Sequence, residues 1–291
     1  WKTEGSRTFI KEGTQVAVED LLRGVIIQSG NDASVALAEF VAGSEGAFVD
    51  IMNQQAQLLG LKDTHFENAT GLPSPEHFST AFDIAILARA IINDYPENYP
   101  LYAEKHFTYN NIRQPNRNSL LWRDSSVDGL KTGHTEEAGY CLVASAKRND
   151  TRFIAVVMGT SSTDSRAQEI QKMLNYGFRY YESERLFRAG QELFEACFWG
   201  GQADQFSFGL ADDVYVTFPR GSRDSLESTV DLDSVIKAPI KVGDELGRVK
   251  VSYNGEMLVD QPVLALTDIP EGGFIKRIWD AIKLFFVQLF Q

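Results

Sequence analysis

Gly139-Tyr140-Cys141-Leu142-Val143-Ala144-Ser145-Ala146-Lys147, then Arg148-Asn149-Asp150, then Arg152-Phe153-Ile154-Ala155-Val156-Val157-Met158-Gly159, is the stretch on which the fold turns. Two apolar, β-branched runs of strand length with turn residues between them predict an antiparallel hairpin with a buried face. Upstream, from residue 105, short alternating stretches separated by turn residues continue the strand pattern. Lys131-Thr132-Gly133 immediately precedes the hairpin and is placed on a strand at the exposed edge of the same sheet. Downstream, residues 164 to 181 return to helical periodicity.

Further upstream the pattern is helical. Val18, Leu21, Leu22, Val25 and Ile26 recur at the spacing of one helix face, which predicts a helix over 17 to 28. Ser29-Gly30-Asn31-Asp32 then breaks the apolar pattern, and Asn31 or Asp32 is expected to cap a second helix carrying Val35, Leu37, Ala38 and Phe40. A third helix is expected over 45 to 59 with Phe48, Ile51, Met52 and Leu59 inward, and a fourth over 80 to 94 after a Gly- and Pro-containing loop at 70 to 77. The first region is therefore α+β, helices packed on an antiparallel sheet. Residues 185 to 268 differ: short Val, Ile and Phe runs are broken by Gly, Asp and Pro every 8 to 12 residues or so, the pattern of a small all-β domain. The expected organisation is 1–183, 184–273 and a terminal amphipathic segment, 274–291.

Bulk composition narrows the function classes. A chain of 291 residues with 43% apolar content buries a substantial core and has room for two domains. A formal net charge of -12 repels phosphate backbones, so nucleic acid is excluded as a partner. Cys141 and Cys197 fall in segments assigned to different domains and read as unpaired small hydrophobes. His65, His77, His106 and His134 are scattered, and no Cys-x-x-Cys pair accompanies them, so neither a metal nor a cofactor is expected. No apolar run reaches the 18 residues or so of a membrane-spanning helix. Nothing resembles a signal peptide, and Trp1-Lys2-Thr3-Glu4-Gly5-Ser6-Arg7 reads as the interior of a domain, so further chain is expected before Trp1.

Two tripeptides carry chemistry: Ser29-Gly30-Asn31 on the interhelical loop and Lys131-Thr132-Gly133 on the edge strand, about a hundred residues apart. Each alone is an ordinary cap or strand-ending turn; together, in this order and context, they are specific. Their surroundings sharpen the match: Gln28-Ser29-Gly30-Asn31-Asp32-Ala33, Ile112-Arg113-Gln114-Pro115-Asn116-Arg117-Asn118, Val127-Asp128-Gly129-Leu130-Lys131-Thr132-Gly133-His134-Thr135 and Ala138-Gly139-Tyr140. On these residues the chain resembles, along essentially its whole length, the low-molecular-mass penicillin-binding proteins of the penicillin-binding protein 5 and 6 group. These are serine-type D-alanyl-D-alanine carboxypeptidases with a penicillin-binding/β-lactamase-like transpeptidase domain.

The resemblance implies three motifs, of which Ser-x-x-Lys comes first in the chain and supplies nucleophile and base. The sole Ser-x-x-Lys here, Ser234-Val235-Ile236-Lys237, follows the other two and falls in the expected β domain. Ser234 and Lys237 are therefore read as surface residues, and the true pair is expected upstream of Trp1. The resemblance gives Lys131 the role of a second cation that lowers the pKa of the missing lysine and attracts the substrate carboxylate. Ser29 relays a proton to the departing amine, and Asn31 holds the peptide amide. Thr132 bonds the carboxylate, Gly133 lets substrate lie along the strand edge, and the backbone N–H of His134 forms half an oxyanion hole. Arg117 and Arg166 are expected near the cleft, orienting Lys131 or the carboxylate, with a surface ion pair as the other reading of each.

In 274 to 291, Phe274, Ile275, Ile278, Trp279, Ile282, Phe285, Phe286, Leu289 and Phe290 gather on one helical face, with Lys276, Arg277, Asp280 and Lys283 on the other. This predicts an interfacial helix lying on a membrane surface, freed by Gly272-Gly273, with a terminal core helix packing on its own domain as the other reading. The partners implied are a peptidoglycan pentapeptide, β-lactams as inhibitors and the membrane surface, on the periplasmic side of the inner membrane. Two rival functions are an inert penicillin-fold binding protein and a β-lactamase. The latter is disfavoured because no Glu-x-x-Leu-Asn deacylation loop occurs between the two motifs.

Overall fold

Apolar residues at helical spacing give α1 (Val18–Gln28), which buries Leu21, Ile26 and Ile27 and ends where Ser29 enters the left-handed region at φ 57°. These details come from a computed structural model that describes residues 3–197, 199–202, 205–233 and 235–289. α2 (Asn31–Ala42) begins directly afterwards and stops at Gly43, a left-handed C-terminal glycine. Neither Asn31 nor Asp32 caps it, against expectation; both lie in its first turn and turn their side chains back toward residues 4 to 10. α3 (Glu45–Leu58) is capped by Ser44 and α4 (Ala81–Asp94) by Thr80, each hydroxyl accepting an N–H three residues on. Ile51, expected inward, is 44% exposed, because α3 rests on α2 through a narrow stripe in which Ala56 is the buried residue.

β1 (His106–Tyr109) and β2 (Ile112–Pro115) form a hairpin across Asn110 and Asn111, both left-handed, as a two-residue turn requires. A short α5 (Leu120–Arg123) leads into β3 (Val127–Thr135), β4 (Gly139–Arg148) and β5 (Thr151–Thr160), an antiparallel sheet in which β3 is an edge. Lys131 pairs with Val143 and Gly133 with Cys141. α6 (Thr163–Tyr180) covers one face, burying Ile170 and Leu174 completely against Leu142, Ala144 and Ala146. Truncating either α6 residue to Ala costs about 2–5 kcal/mol.

By contacts the chain divides into two units, Trp1–Arg179 and Tyr180–Gln291. The second contains β6 (Tyr181–Phe187), β7 (Phe194–Cys197), β8 (Gln205–Gly209), β9 (Val214–Pro219), β10 (Leu226–Leu232), β11 (Glu245–Tyr253) and β12 (Glu256–Ala265). Five of these make a sheet in the order β10-β11-β12-β8-β7, while β6 pairs with β9. Phe208, Phe218, Val249, Val251 and Val263 fill the core between them. Lys237 is exposed, as expected; Ser234 and the side chain of Cys197 lie outside the described residues.

α7 (Phe274–Leu289) turns Phe274, Ile275 and Trp279 outward, at 77%, 74% and 61% exposure. Asp280, expected on the solvated face, is buried and accepts the Gly200 N–H at 3.0 Å. Gly272 is not a free joint either. Its N–H donates to Gly200 O at 2.8 Å, and a Cβ there would lie 2.6 Å from Gly201 O, so glycine permits a close backbone approach. The side chains of Phe285, Phe286 and Leu289, and the whole of Phe290, lie outside the described residues. Among those residues no helix is long and apolar enough to cross a membrane.

Candidate active site

The left-handed turn at the end of α1 decides where the serine points. Ser29 N–H donates to Val25 O and Gly30 N–H to Gly24 O, so two of the helix's last carbonyls are satisfied and the chain reverses at once into α2. A Cβ on Gly30 would sit 2.0 Å from Thr8 Oγ1, so only glycine fits this turn. The reversal presents the Ser29 hydroxyl to β3, where Lys131 Nζ donates to Ser29 Oγ and, at 2.8 Å, to Thr132 O. Two tripeptides 102 residues apart thus meet through a direct bond.

Lys131 is half-buried and has no carboxylate within ion-pair distance among the described residues. Burial, followed by the nearby Arg117 and Arg166 guanidiniums, brings its pKa down from 10.5 to about 7. Each cause disfavours the ammonium. Arg166 is 6% exposed; its Nη1 donates to Gly133 O at 3.1 Å and Cys141 O at 3.4 Å, and its guanidinium carbon stands 5.8 Å from the Tyr140 ring centroid. Arg117 is held by its neighbours. Asn116 Nδ2 donates to Glu104 O and Asn118 Nδ2 to Gly129 O, both at 3.0 Å, so two buried asparagines tie this segment to the chain just before β1 and to β3. Among the described residues neither arginine forms an ion pair.

Thr132 is buried and Gly133 exposed; a Cβ on Gly133 would meet nothing nearer than the Cys141 Cβ at 3.6 Å, so protein packing does not demand glycine there. The exposed His134 ring lies 4.0 Å from that of Tyr140. Asn31 is buried and already uses one amide donor on Glu4 O at 2.7 Å. All eight residues singled out in the sequence line one cleft of about 690 Å³.

Residue patterns did not reveal the rest of its wall: Gly5, Ser6, Thr70, Gly71 and Leu72 also line it. The loop bearing Thr70 is clamped from below. Asn53 Nδ2 donates to Phe66 O while Asn53 Oδ1 accepts the Phe66 N–H, Glu45 accepts the Ala69 N–H, and Asn68 Oδ1 accepts from Thr70 and Gly71. Such loop residues serve through backbone position, which leaves no spacing signal. Tyr140, within the Ala138-Gly139-Tyr140 match, and Thr135, at the end of the match that begins at Val127, line the cleft as well and did have one.

A family model described as D-alanyl-D-alanine carboxypeptidase matches residues 1–162. The chain belongs to that family. A second model, the C-terminal domain of penicillin-binding protein 5, matches residues 181–271, so the β-rich unit of this family member is matched as well. D-alanyl-D-alanine carboxypeptidase DacA of Escherichia coli K12 is 44% identical over 283 residues, 97% of this chain and 70% of that protein. Penicillin-binding protein 5 of Haemophilus influenzae superposes with a TM-score of 0.82 at 41% identity, over 92% of this chain and 79% of the other. Penicillin-binding protein D2 of Listeria monocytogenes, solved with cefotaxime bound, gives 0.56 at 29% identity over 61% and 74%. The fold is that of a penicillin-binding protein, helices on an antiparallel sheet followed by an all-β unit.

Proposed function

We propose that this protein removes the terminal D-alanine from peptidoglycan stem peptides through an acyl-enzyme, and that β-lactams acylate and inhibit it. The observation that carries this is the Lys131–Ser29 bond inside a cleft that also holds two guanidiniums unpaired with acid among the described residues. The substrate carboxylate enters this positive field and bonds the Thr132 hydroxyl, while the peptide lies along the open edge of β3 at Gly133. A serine in a Ser-x-x-Lys motif upstream of Trp1 attacks the penultimate carbonyl as its proton passes to that motif's lysine, and the His134 N–H stabilises the resulting oxyanion. As the new ester forms and the C–N bond to the terminal D-alanine breaks, Ser29 passes a proton to the leaving amine. Lys131, near its titration point, resupplies Ser29 at little cost and is recharged by the proton taken from the nucleophile. Water then hydrolyses the ester, frees the shortened peptide and restores the serine.

The second unit serves as a stalk and α7 as the membrane contact, because Phe274, Ile275 and Trp279 present a large apolar surface to water, which a lipid interface would cover. On this reading, with wall peptide as substrate, the catalytic unit works at the outer face of the cytoplasmic membrane, in the periplasm of a Gram-negative source. The test is release of D-alanine by the full-length protein from a peptide ending in D-alanyl-D-alanine. Turnover blocked by prior penicillin treatment is expected; no release, or release indifferent to penicillin, overturns the reading.

A further inference from the structure

Asp32 takes no part in the motif chemistry, yet it is 3% exposed and accepts four backbone N–H groups. Its Oδ1 receives Thr8 at 2.8 Å and Ala33 at 2.9 Å; its Oδ2 receives Phe9 at 2.9 Å and Ile10 at 3.2 Å. No cation lies within ion-pair distance of it among the described residues. A carboxylate buried in this way is costly unless N–H donors replace its water, and three of the four donors come from residues 22 to 24 positions upstream. The neighbouring Asn31 grips the other end of the same segment: its backbone N–H donates to Ser6 O at 2.8 Å and its Nδ2 to Glu4 O at 2.7 Å. Two consecutive residues of α2 therefore fix residues 4 to 10, and Gly5 and Ser6 of that segment line the cleft that Thr132 and Gly133 also line.

Resting on the carboxypeptidase reading above, we propose that Asp32 is a positioning residue for that reaction. By holding residues 8 to 10 it sets the Gly5–Ser6 backbone as the cleft wall against which the acyl-donor peptide, upstream of the scissile bond, is aligned. Its effect then depends on how far the donor extends along that wall, and falls on binding rather than on the proton transfers at Ser29 and Lys131.

The test compares full-length wild type with Asp32→Asn, which turns one accepting oxygen into a donor facing N–H groups. The active fraction is counted by penicillin titration and the kinetics are normalised to it. With diacetyl-L-lysyl-D-alanyl-D-alanine as donor, KM is expected to rise about ten-fold while kcat stays within about two-fold and its pH profile does not move. Acylation by a small β-lactam without a peptide extension should change less than about two-fold. A merely structural role predicts a smaller titratable fraction with unaltered KM, and that result overturns the proposal. Gly5→Ala guards against failure of Asp32→Asn to fold. At φ +82° its Cβ would stand 2.6 Å from Asn31 Nδ2, displacing the same wall from its other end. It should raise KM in the same donor-dependent way, and unchanged KM in Gly5→Ala likewise overturns the assignment. If wild type itself releases no D-alanine, the parent reading falls and this one with it; wild-type turnover with normal KM in both variants removes Asp32 alone.

Discussion

Lys131 was expected to act as the cation that depresses another lysine, and the structure shows the same physics applied to Lys131 itself. Burial and two guanidiniums hold its pKa near 7, so its proton is easily given to and taken from Ser29. The residue types and the order of the two motifs made this pair legible in sequence, but the arginine field acting on it is a three-dimensional fact. Arg117→Gln should let the Lys131 pKa climb back toward its ordinary value, moving the descending limb of the acylation pH profile, where the proton donor is lost, up by about one unit. Stopped-flow acylation across pH reads this directly, and a limb that does not move contradicts the assignment. A stability signature follows with a definite sign. Since the folded-state pKa is depressed, the contribution of Lys131 is full above 10.5 and is lost as pH falls through about 7.

The hairpin of β4 and β5 and the helices α1, α2 and α6 were readable because apolar periodicity follows directly from which face is buried. What periodicity does not encode is which backbone groups a polar side chain serves. Asp32 and Asn31 look like helix caps beside an apolar run, yet their side chains bond loop groups far upstream. Asp280 looks like a solvated charge, yet it satisfies the Gly200 N–H. Close approach is equally silent, as Gly30 shows: its φ is -68°, so conformation alone permits alanine, and what forbids it is the crowding of the would-be Cβ, with the Thr8 hydroxyl at 2.0 Å and Thr8 N and Asp32 Oδ1 each at 3.0 Å. Gly30→Ala should therefore destabilise the protein by about 1–3 kcal/mol in denaturant unfolding, with part recovered by adding Thr8→Ala. Equal midpoints for wild type and Gly30→Ala would contradict the packing argument.

On the proposed function, catalysis belongs to the first unit and membrane contact to α7. Deleting 274–291 should leave D-alanine release intact while abolishing co-sedimentation with anionic phospholipid vesicles; vesicle binding that survives the deletion would refute α7 as the contact. The proposed chemistry depends on one bond, from the edge-strand amine of Lys131 to the interhelical hydroxyl of Ser29. Covalent labelling of the full-length protein with fluorescent penicillin, alongside Lys131→Ala of matched thermal stability, tests it most directly. Strong labelling of the wild type is expected, with a loss of at least about a hundred-fold in the labelling rate of the variant. Labelling of a folded Lys131→Ala at the wild-type rate would contradict it.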